Sequence, residues 1–299
     1  MAGIELAPLK MPQIERGADI AKLLSREDLR DGDVVILTSK MVSKALGLVY
    51  RLDDYRPSPR AERIASRYGL DPRAVEAVLR HSERIVGVIP VKRLFEEGVF
   101  DIERHAPDPE AAREAIERVP ALMVTIRGGQ LYTDAGLDFS NHPPGYFSLP
   151  PLDPDAEAKR ISHRIEEETG RRVAIVITDT ELSPFGSVEL ARGSYGVRPV
   201  RRSFGLPDLY GRPKFGGAEA TAQMLAMAAG LLMGQAAEGV PAVLVRGLSY
   251  EWSEEGVGRY MRGLVEERHA LPVILRETLW LKGASWAAPL LEAALEKIL

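Results

Sequence analysis

The chain has 299 residues, a formal charge of -4 at pH 7, 45% apolar and 27% charged side chains, and no cysteine. That balance is too apolar for disorder and gives no global attraction for nucleic acid or an anionic membrane; the missing thiols exclude disulfides, thiolate metal sites and cysteine nucleophiles. The length predicts one large domain or two closely packed parts.

In chain order, Met1 to Leu6 has no basic region followed by an apolar core, and no run reaches the ~18–20 apolar residues that cross a bilayer, so a cytoplasmic protein without a membrane partner is expected. Asp33 to Thr38 is the first strong strand, and Thr38-Ser39-Lys40-Met41-Val42-Ser43-Lys44 leaves its end. Four Ser/Asp-Pro pairs predict helix starts: Ser58-Pro59, running to about Tyr68, then Asp71-Pro72, Asp108-Pro109 and Asp153-Pro154. The last of these helices ends on Gly170. Arg84 to Ile89 and Ala121 to Ile126 read as strands, the second meeting a Gly128-Gly129 turn that predicts a hairpin. Val173 to Thr178 is an almost unbroken apolar strand, and Pro184 to Gly216 reads as a long irregular loop. Ala218 to Met233 reads as a buried helix, Pro241 to Arg246 as a strand, and amphipathic helices close the chain. No internal repeat or linker separates independent domains.

Two carboxylates leave strands or turns near polar clusters: Asp138, in Thr133-Asp-Ala-Gly-Leu-Asp-Phe-Ser-Asn141, and Asp179, in Thr178-Asp-Thr180. Paired carboxylates at strand ends suit Mg²⁺ or Mn²⁺, which take oxygen ligands and leave room for phosphate. The same residues also serve as turn and cap formers. The Ser39, Lys40, Lys44 cluster suits a triphosphate, although no Walker A pattern occurs and lysines at a strand exit are often only solvated. The arginine of Asp208-Leu-Tyr-Gly-Arg212 suits a phosphate or an exposed turn. Gln235, behind Gly234 at a helix end, reads unaided as a surface residue. The histidines lack ligand spacing and are expected to be structural, with His142 distinguished only by its place beside Asn141. No Gly-x-Ser-x-Gly elbow supports a serine hydrolase.

Taken in order, Gly32 to Lys44, Asp134 to Asn141, Leu149 to Asp155, Val176 to Thr180, Asp208 to Arg212, Leu232 to Gly234 and Val245 to Gly247 resemble the coenzyme F-420:L-glutamate ligase family over most of the chain. The resemblance implies an α+β fold of two interlocked parts within one ligase-like domain spanning 1–299, with an insertion at about 90–119 carrying the Asp108-Pro109 helix. It implies a homodimer, GTP as energy source, two divalent cations (Mg²⁺ or Mn²⁺) assisted by K⁺, and a carboxylate acceptor that receives L-glutamate through an acyl phosphate. Asp138 and Asp179 fall on the positions of the first metal, Thr180 and Gln235 on those of the second. Ser39, Lys40, Lys44 and Asn141 fall on GTP-contacting positions, and Lys10 to Gln13 and Met233 to Val240 align with further nucleotide segments. No protein nucleophile is implied.

The departures are local. The family usually continues after Asp179-Thr180 with a Gly-Arg-Pro-aromatic-Arg run, where this chain reads Glu181-Leu-Ser-Pro-Phe-Gly186, and Gln223 stands where the family tends to have Asp. Loss of two guanidinium groups from a phosphate-rich site suggests an altered acceptor. A metal-dependent phosphohydrolase and a degenerate homologue kept as a nucleotide-binding or interaction protein are the competing expectations.

Overall fold

The computed structural model describes residues 3–99, 104, 106–183, 186–266 and 270–298. Helices and strands are mixed in an α+β arrangement, and the chain divides into two compact units, each assembled from two separate segments. Met1–Arg51 with Gly136–Arg259 forms the first; Leu52–Ala135 with Tyr260–Leu299 forms the second.

The first unit is built on a five-stranded sheet of order β1 (Glu5–Leu9), β10 (Ala242–Arg246), β2 (Val34–Thr38), β8 (Ala174–Ser183), β9 (Gly186–Tyr195). Only β2 and β8 run parallel, in the register Val34↔Ala174 to Thr38↔Thr178. These two central strands are the most apolar because both faces are covered. Val35, Leu37, Ile175 and Ile177 join a core with Ile20 and Leu24 of α1 (Ile20–Leu24), Met41 and Val42 of α2 (Ser39–Leu46), and Ile161 and Ile165 of α7 (Pro154–Thr169). Their alternates Val34, Ile36, Ala174 and Val176 are equally inaccessible. Burial of each Val or Ile contributes about 1.5–3 kcal/mol, so this sheet is the energetic centre of the unit. A short antiparallel pair, β3 (Val49–Arg51) with β7 (Tyr146–Ser148), completes its strands.

At one corner, buried Asp33 accepts from Nε and Nη2 of Arg246 (2.9 and 2.7 Å) and from the Arg30 backbone N–H (2.8 Å). The guanidinium thus ties β10 to the entry of β2. Arg246→Ala leaves that carboxylate without its cation, and chemical denaturation is expected to register a loss of about 3 kcal/mol.

In the second unit, β4 (Arg84–Ile89), β5 (Leu122–Arg127) and β6 (Gln130–Thr133) form an antiparallel sheet, and Arg127 pairs with Gln130 across the Gly128-Gly129 turn. Helices α3 (Pro59–Tyr68), α4 (Pro72–His81), α5 (Val91–Glu96) and α6 (Pro109–Arg118) lie between β3 and β5 in sequence. Each expected Ser/Asp-Pro start is a true cap. Ser58 accepts from Ala61 N–H, Asp71 from Arg73 N–H, Asp108 from Glu110 and Ala111 N–H, and, in the first unit, Asp153 from Ala156 N–H. Proline supplies the fixed φ of the first turn and the side-chain oxygen satisfies a donor the helix cannot. The closing helices are α9 (Gly258–Glu266), α10 (Ala270–Leu281) and α11 (Ala288–Ile298). Among the described residues, no helix is long and apolar enough to cross a membrane.

Two expectations are corrected. Gly186 to Tyr195, read as part of an irregular loop, is strand β9; it pairs with β8 along its whole length, and its Glu, Arg, Gly and Ser content hides a strand that is buried by polar contacts. The helix read from Ala218 to Met233 as buried is α8 (Thr221–Met233), and it is buried on one face only: Ala222, Ala226 and Ala229 pack inward while Met224, Met227 and Leu231 are exposed. An all-apolar helix carries no sequence signal for which face is covered. Of the histidines, His105 and His269 lie outside the described residues, as do Pro184 and Phe185.

Candidate active site

The parallel pairing of β2 and β8 brings two segments out of the sheet side by side. Thr38 is opposite Thr178, so the next residues, Ser39 and Asp179, meet: the Ser39 hydroxyl donates to Asp179 Oδ1 at 2.9 Å. Asp179 does not end its strand, as the sequence suggests, but sits just beyond the point where the parallel partner turns into α2. Ligands collect at such carboxyl ends because the diverging chains leave a crevice there.

Thr38 also caps α2, accepting from Met41 N–H. Lys40 and Lys44, four residues apart, therefore share one face of the helix and reach the same loop. Lys40 Nζ lies 2.8 Å from Asp138 Oδ2 and 2.5 Å from Ser140 Oγ; Lys44 Nζ donates to the Asn141 carbonyl at 3.1 Å. The loop is shaped for this. Asp138 is bridged to Ser148 of β7 through both backbone groups, its Oδ1 accepts from the Ser140 N–H and hydroxyl, and Asn141 takes a left-handed φ of 55°. Asn141 Nδ2 donates to the Ala236 carbonyl at 3.3 Å, joining the loop to the segment after α8. His142 Nε2 meets Ser148 Oγ at 3.0 Å; burial first, then the Lys44 charge, pushes its imidazole toward the neutral form.

Thr180 and Gln235 converge on a residue that the sequence reading did not single out. Glu189 of β9 lies across from Thr180, and its carboxylate accepts from Thr178 Oγ1 (2.8 Å), Thr180 Oγ1 (2.5 Å) and Gln235 Nε2 (2.9 Å). The strand that carries it was hidden in an apparent loop, so only its Glu among apolar neighbours was visible.

A β-bulge between Ile177 and Thr178 inserts Arg192 as an extra residue on β9. Its fully buried guanidinium donates through Nη2 to Glu181 Oε1 at 2.5 Å. Bulges re-aim side chains beside active sites, and this one brings a guanidinium up to the stretch whose expected arginines are missing. Gln223 of α8 fixes the bulge, accepting from Ala191 N–H (2.9 Å) and donating to Ala191 C=O (3.0 Å). An amide supplies both an acceptor and a donor for that clamp; an ionised Asp at this position supplies only acceptors.

Asp179 is the most perturbed acid of the group. Burial is the main cause, with Glu181 and Asp138 adding to it and Arg192 and the Ser39 hydrogen bond opposing it; the net effect pushes its carboxyl up to about 7. Burial and the Lys40 charge hold Lys44 below the usual ammonium range, against the pull of Asp138.

The oxygens that could serve a cation here are those of the Asp138 and Asp179 carboxylates, the Thr180 hydroxyl and the Gln235 amide. No three Asp, Glu or His side chains form a metal cage among the described residues. Mg²⁺ and Mn²⁺ fit such a set, since they favour one or two protein carboxylates and complete their shells with water and phosphate. Asp179 is partly buried, and the cost of ionising it there favours a positive charge beside it.

The family model described as F420-0:Gamma-glutamyl ligase matches residues 8–247. The chain belongs to the F420-0:Gamma-glutamyl ligase family. Among similar proteins, the coenzyme F420:L-glutamate ligase of Archaeoglobus fulgidus is 38% identical over 250 residues, 82% of this chain and 88% of that one. Its namesake in Methanopyrus kandleri is 39% identical over 251 residues, covering 83% and 88% of the two chains. That of Methanothermobacter thermautotrophicus is 37% identical over 273 residues, covering 87% and 96%. Every residue of the cluster described above, from Ser39 to Gln235, falls inside the match to the F420-0:Gamma-glutamyl ligase family, while α9 to α11 lie beyond it.

Proposed function

We propose that the chain is a GTP-dependent, divalent-cation-dependent amide ligase that joins L-glutamate to the carboxylate of a coenzyme F420 precursor or a related molecule. The observation that carries this reading is the convergence of Ser39, Lys40, Lys44, Asp138, Asn141 and Asp179 at the carboxyl end of the β2–β8 pair in a member of the family.

A carboxylate is a poor electrophile. Its oxygen attacks the γ-phosphorus of GTP, GDP departs, and the resulting acyl phosphate is opened at its carbonyl carbon by the glutamate amine, which loses a proton as inorganic phosphate leaves. In this scheme Lys40 and Lys44 release Asp138 and the Asn141 carbonyl and turn to the triphosphate, where fixed positive charge offsets the charge that develops in phosphoryl transfer. Asn141 and the backbone around Ala236 hold the nucleotide in register. Asp138 and Asp179 would hold the first cation, and Thr180 and Gln235 the second. Bound cations would supply positive charge that offsets the charge developing on the transferred phosphoryl group. A supporting K⁺ and a homodimer belong to the same reading. The altered run after Thr180, with Glu181 tied to Arg192, favours an acceptor that differs from the family's usual one.

Calorimetric titration of GTP and ATP with and without Mn²⁺, followed by product analysis with glutamate and candidate acceptors, tests it. Cation-dependent, GTP-selective binding and a glutamyl amide product are expected. Phosphate release without amide would identify a phosphohydrolase; no binding at millimolar nucleotide would leave a non-catalytic homologue.

A further inference from the structure

We infer that Glu189 is a positioning residue for the cation site, holding Thr180 and Gln235 so that their oxygens face outward. The inference rests on the cation-dependent reading above and assigns a role to a residue outside the resemblance-derived set.

Three observations carry it. First, Glu189 is only 6% exposed, and its hydrogen-bond partners, two threonine hydroxyls and one amide, are neutral. Buried carboxylates ordinarily sit beside a cation or are replaced by apolar residues, yet no ion pair to Glu189 forms among the described residues. Second, its partners are oriented by chemistry. A carboxylate only accepts, so the Gln235 amide must present nitrogen to it and direct its carbonyl oxygen away; likewise Thr180 spends its proton on Glu189 and keeps its lone pairs for another group. Third, the seat is made for this side chain. Gly230 of α8 faces it, and a Cβ there would lie 2.8 Å from Glu189 Cγ, so the helix approaches closely only because that position lacks a side chain. Gln235 follows directly on Gly234, whose φ of 66° turns the chain out of α8 and back toward Glu189.

A carboxylate that hydrogen-bonds the groups ligating a cation fixes their geometry and adds negative field to the site; loss of such a partner typically costs ~10–100-fold in metal affinity. Glu189 does this for two neutral ligands at once.

The test counts Mn²⁺ bound to the GTP-loaded full chain by electron paramagnetic resonance, in wild type, Glu189→Gln, Gln235→Ala and the double variant, with thermal melting recorded in parallel. Glu189→Gln is expected to weaken one Mn²⁺ at least tenfold without lowering the melting temperature, and to have a smaller effect in the Gln235→Ala background than in wild type, because only its hold on Thr180 then remains to be lost. Where Glu189→Gln does not fold, Glu189→Asp carries the test: it keeps the charge one methylene short of Thr180 and Gln235 and should weaken the same ion. Mn²⁺ affinity within twofold of wild type in the folded variant, or effects that multiply in the double variant, would overturn the inference while leaving the ligase reading intact. A wild-type chain that binds no Mn²⁺ with GTP would overturn both.

Discussion

Asp138→Asn and Asp179→Asn are expected to weaken Mn²⁺-dependent nucleotide binding by about 100-fold or more, equivalent to ~2.7 kcal/mol, without loss of fold. Each removes one of the two carboxylates that the β2–β8 exit and the 138–141 loop bring together. The two variants separate by pH. Asp179 titrates near 7 in the folded protein against 3.8 for the ordinary side chain. Its folded value is raised, so the neutral acid stabilises the cation-free protein fully below about 3.8, and that contribution is lost as pH rises through about 7. Cation binding has the opposite sign: it requires the anion, so affinity tightens by up to tenfold per pH unit below about 7 and levels off above it. In Asp179→Asn this dependence is expected to vanish, and the melting temperature of the cation-free protein should fall less between pH 5 and pH 8 than in wild type. In Asp138→Asn the dependence should persist, displaced slightly toward lower pH because Asp138 is one of the charges that raises Asp179. Calorimetry across that range, and melting curves without cation, check both; identical profiles in all three proteins would refute the role of Asp179.

Arg192→Met should be the most destabilising substitution in the first unit, at about 3–5 kcal/mol. The guanidinium is fully buried, its Nη2 holds Glu181, and its charge is the first influence opposing the burial of Asp179. Its removal leaves two carboxylates, Asp179 and Glu181, in a poorly solvated strand end. The cost is therefore expected to be larger at pH 8 than at pH 5, where protonation relieves Asp179. Adding Glu181→Gln should recover part of the loss, since removing both partners of a buried pair is cheaper than stranding one. Urea denaturation of the single and double variants at the two pH values measures this; equal costs for single and double variants would mean that Glu181 and Arg192 do not act as a pair.

Much of the fold was legible in local sequence because the signals were local. The Ser/Asp-Pro helix starts at Ser58, Asp71, Asp108 and Asp153 specify their caps within three residues of chain, and the Gly128-Gly129 turn specifies a hairpin between two adjacent strands. The apolar runs of β2 and β8 announce strands covered on both faces, and both are central in the sheet. Strand β9 was not legible. Its Glu189, Arg192 and Ser194 are buried by partners distant in sequence, from Thr178 and Glu181 to Gln235 and Val257, so its polarity mimics a loop.

The same division applies to the site. The sequence alone determined which residue types were present and in what order: lysines after a strand, carboxylates and hydroxyls in two further segments, and no thiol or serine elbow to suggest other chemistry. It determined the family through that order. Only the tertiary structure decided that Ser39 meets Asp179 through a parallel register, that Lys40 and Lys44 close on the Asp138–Asn141 loop, and that Glu189 gathers Thr180 and Gln235. The physical reason is that caps and turns are satisfied by neighbours a few residues away, whereas a buried charge is satisfied by whatever the sheet register and a single bulged residue bring beside it.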